Sequence, residues 1–196
     1  MGKVTIGFSM SLDGFIAGPH DEVDRVFKWY FSGDTTHEVA SGGQVFKMNE
    51  EGADRIQEGG QAAGVLVTAR RTFDLAHAWG GKHPMNVPVV VVTHNVPQEW
   101  VKAGSPFTFV TDGVESAIAK AKQIAGDKTV VIGAPSVVKQ CLKAGLLDEI
   151  HIDLVPVLLF DGIPLFDHLG IDPVDLKIIE VSANPGIIHI TYAVVK

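Results

Sequence analysis

Cysteine is nearly absent from this sequence, because Cys141 is the single one among 196 residues. One cysteine cannot build an intrachain disulfide framework, which favours a reducing, cytoplasmic location. An excess of positive charge is absent too: 16 Lys and Arg stand against 23 Asp and Glu, for a formal net charge of -7. This balance argues against nucleic acid or an anionic lipid surface as a partner.

Long apolar runs and metal-binding spacings are missing as well. No run approaches the length of a bilayer span, and the start MGKVTIGFSM is too short and alternating for a signal peptide. We therefore expect a soluble protein with no membrane partner. The eight histidines show neither His-x-x-x-His spacing nor paired cysteines, which predicts no metal site. The absence of Gly-x-Ser-x-Gly excludes the usual serine-hydrolase turn.

The chain does contain a regular alternation of strand and helix patterns. From Gly64 to Val155, β-branched strands alternate with amphipathic helices, which predicts a largely parallel sheet with helices on both faces. Two further strands, Leu176–Ser182 and Ile187–Val194, face each other across Ala-Asn-Pro-Gly and predict an antiparallel hairpin. We expect a single domain over residues 1–196 of three α/β/α layers.

Strands and helices can be assigned individually in most of the chain. The predicted strands are Lys3–Ser9, Val65–Thr68, Val87–Thr93, 107–110, 128–133 and 147–159, besides the hairpin. The predicted helices begin near Arg70, Gly113 and Pro135, and weaker helical patterns cover Val23–Phe31 and Met48–Gln57. Residues 34–61 as a whole stay unassigned.

Four strand-to-helix corners are candidate binding segments. They are SLDGFIAG after the first strand, TARRTF after the second, THN after the third and GAPS before the last helix. In an open α/β sheet, ligands bind at the carboxyl ends of the strands. If the strands are parallel, the four corners lie on one edge and can share a ligand.

Arg70 and Arg71 give the second corner its charge. Cations at a helix start are disfavoured by about 0.3–1 kcal/mol, so an arginine pair there fits an external anion between the pair and the backbone. The alternative is a surface pair that contacts acidic neighbours such as Asp74, and the sequence does not separate the two readings.

The other corners also allow two readings each. His94 could contact a phosphate or an aromatic ring, or be a solvated loop residue. The corner from Gly133 to Ser136 could bind an anion at a helix N-terminus, although most such corners bind nothing. Asp13 could be a general acid, or it could form the turn before Gly14, which is the favoured reading.

Taken together and in this order, the corners resemble the dihydrofolate reductase superfamily. The branch that contains the reductase domain of bifunctional riboflavin-biosynthesis deaminase-reductases is the most similar. The residues that carry the resemblance are MSLDGFIAG, ARRTFD, VPVVVVTHN and GAPSVVKQCLKAGLLDEIHIDLVPVLLFDGIPLF. The resemblance implies a mixed sheet of about eight strands, with NADPH across the strand ends, and a homodimer.

The resemblance also implies roles for individual residues. The cofactor-binding set is Ile16, Ala17, Gly18, Arg70, Arg71, Thr72, Thr93, His94, Gly133, Ala134, Pro135, Ser136 and Val137. Asp13 is the catalytic candidate, and Phe15, Phe160 and Asp161 are the candidates for facing the substrate.

This chain departs from the family pattern at several positions. Ala69 replaces the glycine expected before Arg70, and His94 replaces an arginine, although histidine is only partly charged near neutral pH. Ala134 replaces a glycine, and Pro135 supplies no N–H, so the Ser136 and Val137 amides are the donors expected to remain. Phe15 stands where riboflavin-pathway members tend to carry lysine.

Three functions are consistent with these patterns. The first is an NADPH-dependent reductase of a small heterocycle, either a 5-amino-6-(5-phosphoribosylamino)uracil reductase or a dihydrofolate-type enzyme. The second is a dinucleotide-binding homodimer without efficient turnover, suggested by the departures from the pattern. The third is a structural homodimer with no ligand, joined through the apolar strand Ile150–Leu159 and its continuation.

Overall fold

The centre of the molecule is an eight-stranded mixed sheet, as the alternation predicted. This computed structural model describes residues 2–39, 44–167 and 169–196. In chain order the strands are β1 (Val4–Ser11), β2 (Phe15–Ala17), β3 (Thr35–Val39), β4 (Gln44–Met48), β5 (Ala63–Ala69), β6 (Val89–Val92), β7 (Phe107–Val110), β8 (Thr129–Ile132), β9 (Glu149–Val155), β10 (Ile163–Pro164), β11 (Leu176–Asn184) and β12 (Ile187–Val194). The helices are α1 (Glu50–Ala62), α2 (Arg70–Leu75), α3 (Val114–Ala125) and α4 (Pro135–Lys143).

The strand order of the large sheet is β11-β12-β9-β1-β8-β5-β6-β7. All neighbours from β9 to β7 are parallel, whereas β12 is antiparallel to both β9 and β11. The predicted C-terminal hairpin is therefore confirmed. Because the five strands β1, β8, β5, β6 and β7 are parallel, the corners that follow them emerge at the same edge of the sheet.

Helices cover both faces of the sheet. Apolar side chains of α3 and α4 pack against one face in a core that includes Ile6, Val67 and Ile132. The opposite face carries two smaller clusters, one around Phe73 of α2 and one around Trp29 and Ala53 of α1. No helix in the described ranges is long and apolar enough to span a membrane.

The region before β5 differs from the sequence prediction. Val23–Phe31 was predicted to be helical, but it contains only a 3₁₀ turn at Lys28–Phe31, and Val26 and Trp29 are both buried in the cluster that includes Ala53. The second helical pattern, Met48–Gln57, is confirmed with shifted bounds. Met48 ends a strand, and α1 begins at Glu50 after Asn49, whose side chain accepts a hydrogen bond from the Gly52 amide.

The strand predicted over Ile150–Leu159 extends too far. The strand ends at Val155, before Pro156, which cannot continue a ladder. β9 lies between β12 and β1, so both of its backbone edges are paired and cannot pair with a second copy of the chain. A subunit interface at this segment stays a prediction.

A left-handed turn follows α2. His77, Ala78, Trp79, Gly80 and Gly81 all have positive φ angles, from 47° to 105°. Left-handed backbone costs roughly 1–2 kcal/mol for each residue that carries a Cβ. The turn therefore holds strain at three consecutive non-glycine residues.

Two loops at the carboxyl edge pair with each other. The short strand β2, which follows β1, is antiparallel to β10, which follows β9. Gly162 lies so close to β2 that a Cβ on it would stand 2.1 Å from the Ala17 carbonyl oxygen, and its φ of 145° also suits glycine.

Candidate functional site

An open cleft of about 580 Å³ lies at the carboxyl ends of β5, β6 and β7. Six residues predicted to bind a cofactor line it: Arg70, Arg71, Thr93, His94, Ser136 and Val137. The other lining residues are Ala69, Val92, Asn95, Thr111, Gly113 and Gln140. Three of the four corners that the sequence singled out therefore meet at one cleft, whose volume is in the usual range for a ligand site.

Arg70 is held in place by neighbouring acceptors. Its Nε lies 2.8 Å from both carboxylate oxygens of Asp74, and its Nη1 donates to the Asn95 carbonyl at 2.8 Å. The reading of Arg70 as a partner of Asp74 is thus correct for this structure. The same contacts fix the guanidinium at the mouth of the cleft, beside the loop after β6.

Arg71 links the cleft to the loop after β2. Its Nη2 lies 2.6 Å from Oδ2 of Asp21, and 73% of the Arg71 side chain is exposed. Asp21 has a φ of 67°, a left-handed conformation that aspartate tolerates better than most residues. An anion that binds Arg71 has to compete with this carboxylate.

Two helices begin at the cleft. Ser136, in the first turn of α4, and Gly113, which precedes α3, both line it. Helix N-termini carry unpaired N–H groups and partial positive charge, so both favour an anion. The Val137 amide, expected to be a free donor, instead donates to the Ala134 carbonyl at 3.0 Å, which leaves Ser136 as the α4 donor.

The corner after β6 folds back on itself. The Thr93 hydroxyl donates to the Asn95 carbonyl at 2.8 Å and closes a tight turn. This turn buries Thr93 and leaves His94 exposed at the cleft.

Seven other predicted cofactor residues do not line the cleft. They are Ile16, Ala17, Gly18, Thr72, Gly133, Ala134 and Pro135. The Gly133 amide donates to the Val67 carbonyl at 2.9 Å, so it is occupied within the sheet. Their roles stay predictions.

Asp13 clamps two loops together at the ends of β1 and β9. Its carboxylate accepts hydrogen bonds from the Ser11 hydroxyl at 2.6 Å and from the amides of Leu159 and Phe160 at 3.1 and 2.7 Å. These donors, the Ser11 hydroxyl above all, hold the pKa of Asp13 below its ordinary value. An ionised acceptor of three donors fits the turn-forming role better than proton donation.

The candidate substrate residues lie around this clamp. Phe160 has a left-handed φ of 64° and is 81% exposed. Asp161 accepts from the Gly162 amide at 2.8 Å, and the Phe15 amide donates to the Ser11 hydroxyl at 2.9 Å. The three residues therefore share one corner of the carboxyl edge.

Sequence reasoning missed the corner after β7. Thr111 and Gly113 reach the cleft by the same strand–glycine–helix pattern that pointed to Gly133. The stretch FTFVTDGVESAI therefore contained the signal. No group of three or more potential metal ligands occurs among the residues that the structure describes.

Comparison with known proteins places the chain in a sequence family and a fold. The family model of the RibD C-terminal domain matches residues 2–189. The uncharacterized protein YwjB of Bacillus subtilis (strain 168) is 23% identical over 167 residues, which cover 85% of this chain and 84% of YwjB.

Solved structures show the same fold. The structure named "Putative riboflavin biosynthesis protein" from Shewanella sp. PV-4 superposes with a TM-score of 0.74 at 23% identity, covering all of both chains. Dihydrofolate reductase from Enterococcus faecalis, complexed with NADP(H), superposes with a TM-score of 0.58 at 15% identity and covers 100% of this chain and 98% of the other. The expected superfamily and fold are confirmed.

Proposed function

The chain belongs to the RibD C-terminal domain family, and from this membership we propose that it is an NADPH-dependent reductase of a small heterocyclic substrate. The observation that carries the proposal is the cleft of about 580 Å³, where Arg70 and Arg71 face the N-termini of α3 and α4. Two cations and two helix starts around one opening suit a ligand with several phosphates.

The residues at the cleft fit a dinucleotide. Ser136 and the start of α3 would receive the diphosphate, and Arg71 would turn from Asp21 to a phosphate oxygen. When bound, NADPH supplies a hydride, and reduction of a C=N or C=C bond also consumes one proton. The chain's part is to bind and orient the two rings.

Cations around the cleft favour NADPH over NADH. The extra 2′-phosphate of NADPH needs a positive partner, and Arg70, Arg71 and His94 all line the opening. The Arg70 guanidinium already donates to the Asp74 carboxylate and to the Asn95 carbonyl. The exposed Arg71 is therefore the main candidate for binding the 2′-phosphate. We expect Arg71→Gln to reduce the preference for NADPH more than Arg70→Gln does.

A second candidate function is dinucleotide binding without efficient turnover. The occupied Val137 amide and the absence of an N–H on Pro135 leave α4 with fewer phosphate donors than its position suggests. If NADPH binds but is not oxidised in the presence of either 7,8-dihydrofolate or 5-amino-6-(5-phosphoribosylamino)uracil, this function is favoured over the reductase.

The subunit partner we propose is a second copy of the chain, joined at β11. This strand is an edge of the sheet, and Ile178 and Val181 expose 61% and 56% of their surfaces. A bulge between Ile178 and Glu180 puts Ile178 and Val181 on one face, since they pair with Tyr192 and Ile190. Exposed apolar edges of this kind normally mark an interface.

Sedimentation of the unsubstituted chain and of Val181→Glu tests the dimer. We expect a dimer that the charged variant dissociates at micromolar concentration. A monomeric unsubstituted chain would contradict the proposal.

Calorimetric titration with NADPH tests the reductase proposal. We expect binding that weakens when Arg71 is replaced by glutamine, while the matched change Arg25→Gln, at an exposed arginine outside the cleft, has little effect. Folded protein that binds no NADPH at millimolar concentration would remove the enzymatic function.

A further inference from the structure

The two arginines at the cleft are each matched by a carboxylate. Nε of Arg70 lies 2.8 Å from both carboxylate oxygens of Asp74, and Nη2 of Arg71 lies 2.6 Å from Oδ2 of Asp21. Each pair has no net charge, so its pull on an approaching anion is much weaker than that of a lone arginine. A cation without a carboxylate partner at the same opening therefore changes a charge that the paired arginines leave close to zero.

His94 is the side chain at the cleft that can supply this cation. It follows β6, lines the opening and is exposed. The turn that carries it is closed by the Thr93 hydroxyl, which donates to the Asn95 carbonyl at 2.8 Å. Among the residues that the structure describes, no side chain pairs with the imidazole of His94. Histidine changes its charge between about pH 5 and 8, so the charge of the opening depends on pH in this range.

The other charged groups around the opening are carboxylates. Asp112 lies in the corner after β7, and a carboxylate oxygen of Glu115, in the first turn of α3, lies 3.6 Å from the position a Cβ on Gly113 would take. From α4 only the neutral Ser136 and Gln140, besides an apolar residue, line the cleft. Carboxylates and guanidinium groups are ordinarily charged from about pH 6.5 to 8.5, so these groups do not make anion binding depend on pH there.

Two further histidines lie near the arginines but outside the cleft. His20 is exposed on the loop that holds Asp21, and His77 lines a separate open surface together with Arg70 and Arg71. Neither histidine is among the residues that line the cleft. A pH effect that arises at the cleft can therefore be separated from one that arises at these two side chains.

We propose that His94 makes the choice between NADPH and NADH depend on pH. The two dinucleotides differ only in the 2′-phosphate of NADPH. The protonated imidazole donates to that phosphate and strengthens the preference for NADPH. When the imidazole is neutral, NADPH keeps only the preference that Arg71 provides after it leaves Asp21. This inference rests on the proposed function in one respect, that the cleft binds the dinucleotide, and it makes His94 a residue that determines specificity.

Linkage gives the sign of the pH dependence. A bound anion favours the protonated imidazole, so binding of the 2′-phosphate takes up protons and becomes tighter as the pH falls. The phosphate itself acts in the opposite direction, because its second pKa is about 6 and a neighbouring cation favours loss of its proton. Net uptake of protons on binding therefore points to a group on the protein.

The test uses fragments of the cofactor that need neither the nicotinamide nor turnover. Adenosine 2′,5′-bisphosphate carries the distinguishing phosphate and adenosine 5′-monophosphate lacks it. Both are titrated calorimetrically into the full chain at about pH 6.5 and 8.5, on either side of most of the charge change of a histidine. We expect the bisphosphate to be preferred about fivefold more at the lower pH, which is the size expected of an exposed ion pair. Titrations in buffers of different ionisation enthalpy should show proton uptake.

Three variants assign the effect to one side chain. His94→Gln should remove both the pH dependence of the preference and the proton uptake, whereas the matched control His20→Gln should keep both. His94→Arg should keep the preference high at both pH values, because arginine stays charged. A preference that does not change with pH in the unsubstituted chain, or that changes equally in His94→Gln, would overturn the proposal. Loss of the change in His20→Gln would also overturn it.

Titration with NADPH and NADH separates this proposal from the proposed function. If NADPH binds with the same preference over NADH at both pH values, the role of His94 is overturned and the dinucleotide site is kept. If neither the dinucleotides nor the fragments bind to the folded chain at millimolar concentration, the proposed function is removed and the role of His94 is removed with it.

Discussion

Replacement of Asp21 by asparagine should tighten NADPH binding. Oδ2 of Asp21 lies 2.6 Å from Nη2 of Arg71. A phosphate that binds Arg71 therefore has to displace the Asp21 carboxylate and then lie beside the negative charge of that carboxylate. An exposed ion pair is worth about 0.2–1 kcal/mol. Two unit charges 4 Å apart in water repel by about 1 kcal/mol, and a phosphate carries more than one charge. The two effects together predict a gain of about 1–2 kcal/mol, or roughly five- to thirtyfold in Kd.

Calorimetric titration of Asp21→Asn with NADPH measures this gain, and Asp24→Asn is the matched control. Asparagine tolerates the left-handed φ of residue 21, so the backbone should be kept. Asp24 is exposed on the same segment, and its replacement changes the net charge equally. The gain should shrink at about 1 M salt, where charges are screened beyond roughly 3 Å. A weaker Kd in Asp21→Asn, or an equal gain in Asp24→Asn, would refute the reasoning.

Further changes test the packing. Trp29→Phe removes the indole donor to Ser9 and should lower the free energy of unfolding by about 1–2 kcal/mol in urea titrations; no change in the midpoint would contradict the buried hydrogen bond. His77→Gly relieves a left-handed φ of 47° and should stabilise by about 0.5–1 kcal/mol, whereas Leu75→Gly in α2 should destabilise. Burial lowers the pKa of His83 to about 4, so below the ordinary histidine pKa the unfolded chain binds more protons than the folded chain. The free energy of unfolding should therefore fall as the pH drops from 7 to 4. The fall should be smaller in His83→Gln.

The parallel part of the sheet could be predicted because each strand is marked locally. Val89–Val92 is an unbroken valine run, buried except at its end, and the strands after Gly64 alternate with amphipathic helices. Parallel strands send their corners to one edge, so the meeting of Arg70, Thr93 and Ser136 followed from topology alone.

The missed features depend on contacts between distant parts of the chain. Trp29 is buried by Met48, Val155 and Ile187, none of which a local pattern relates to it. The ion pair of Arg71 joins residues 50 apart, so only the folded chain reveals it.

The interlocking of β2 with β10 ties together segments that are nearly 150 residues apart in the chain. Gly162 packs against the Ala17 carbonyl, and the Asp13 carboxylate accepts hydrogen bonds from the amides of Leu159 and Phe160. With both connections in place, neither segment has an independent hinge. Any displacement of the stretch from Gly14 to Ala17 is transmitted to the stretch around Phe160, so relaxation-dispersion profiles of the two should report one shared exchange rate.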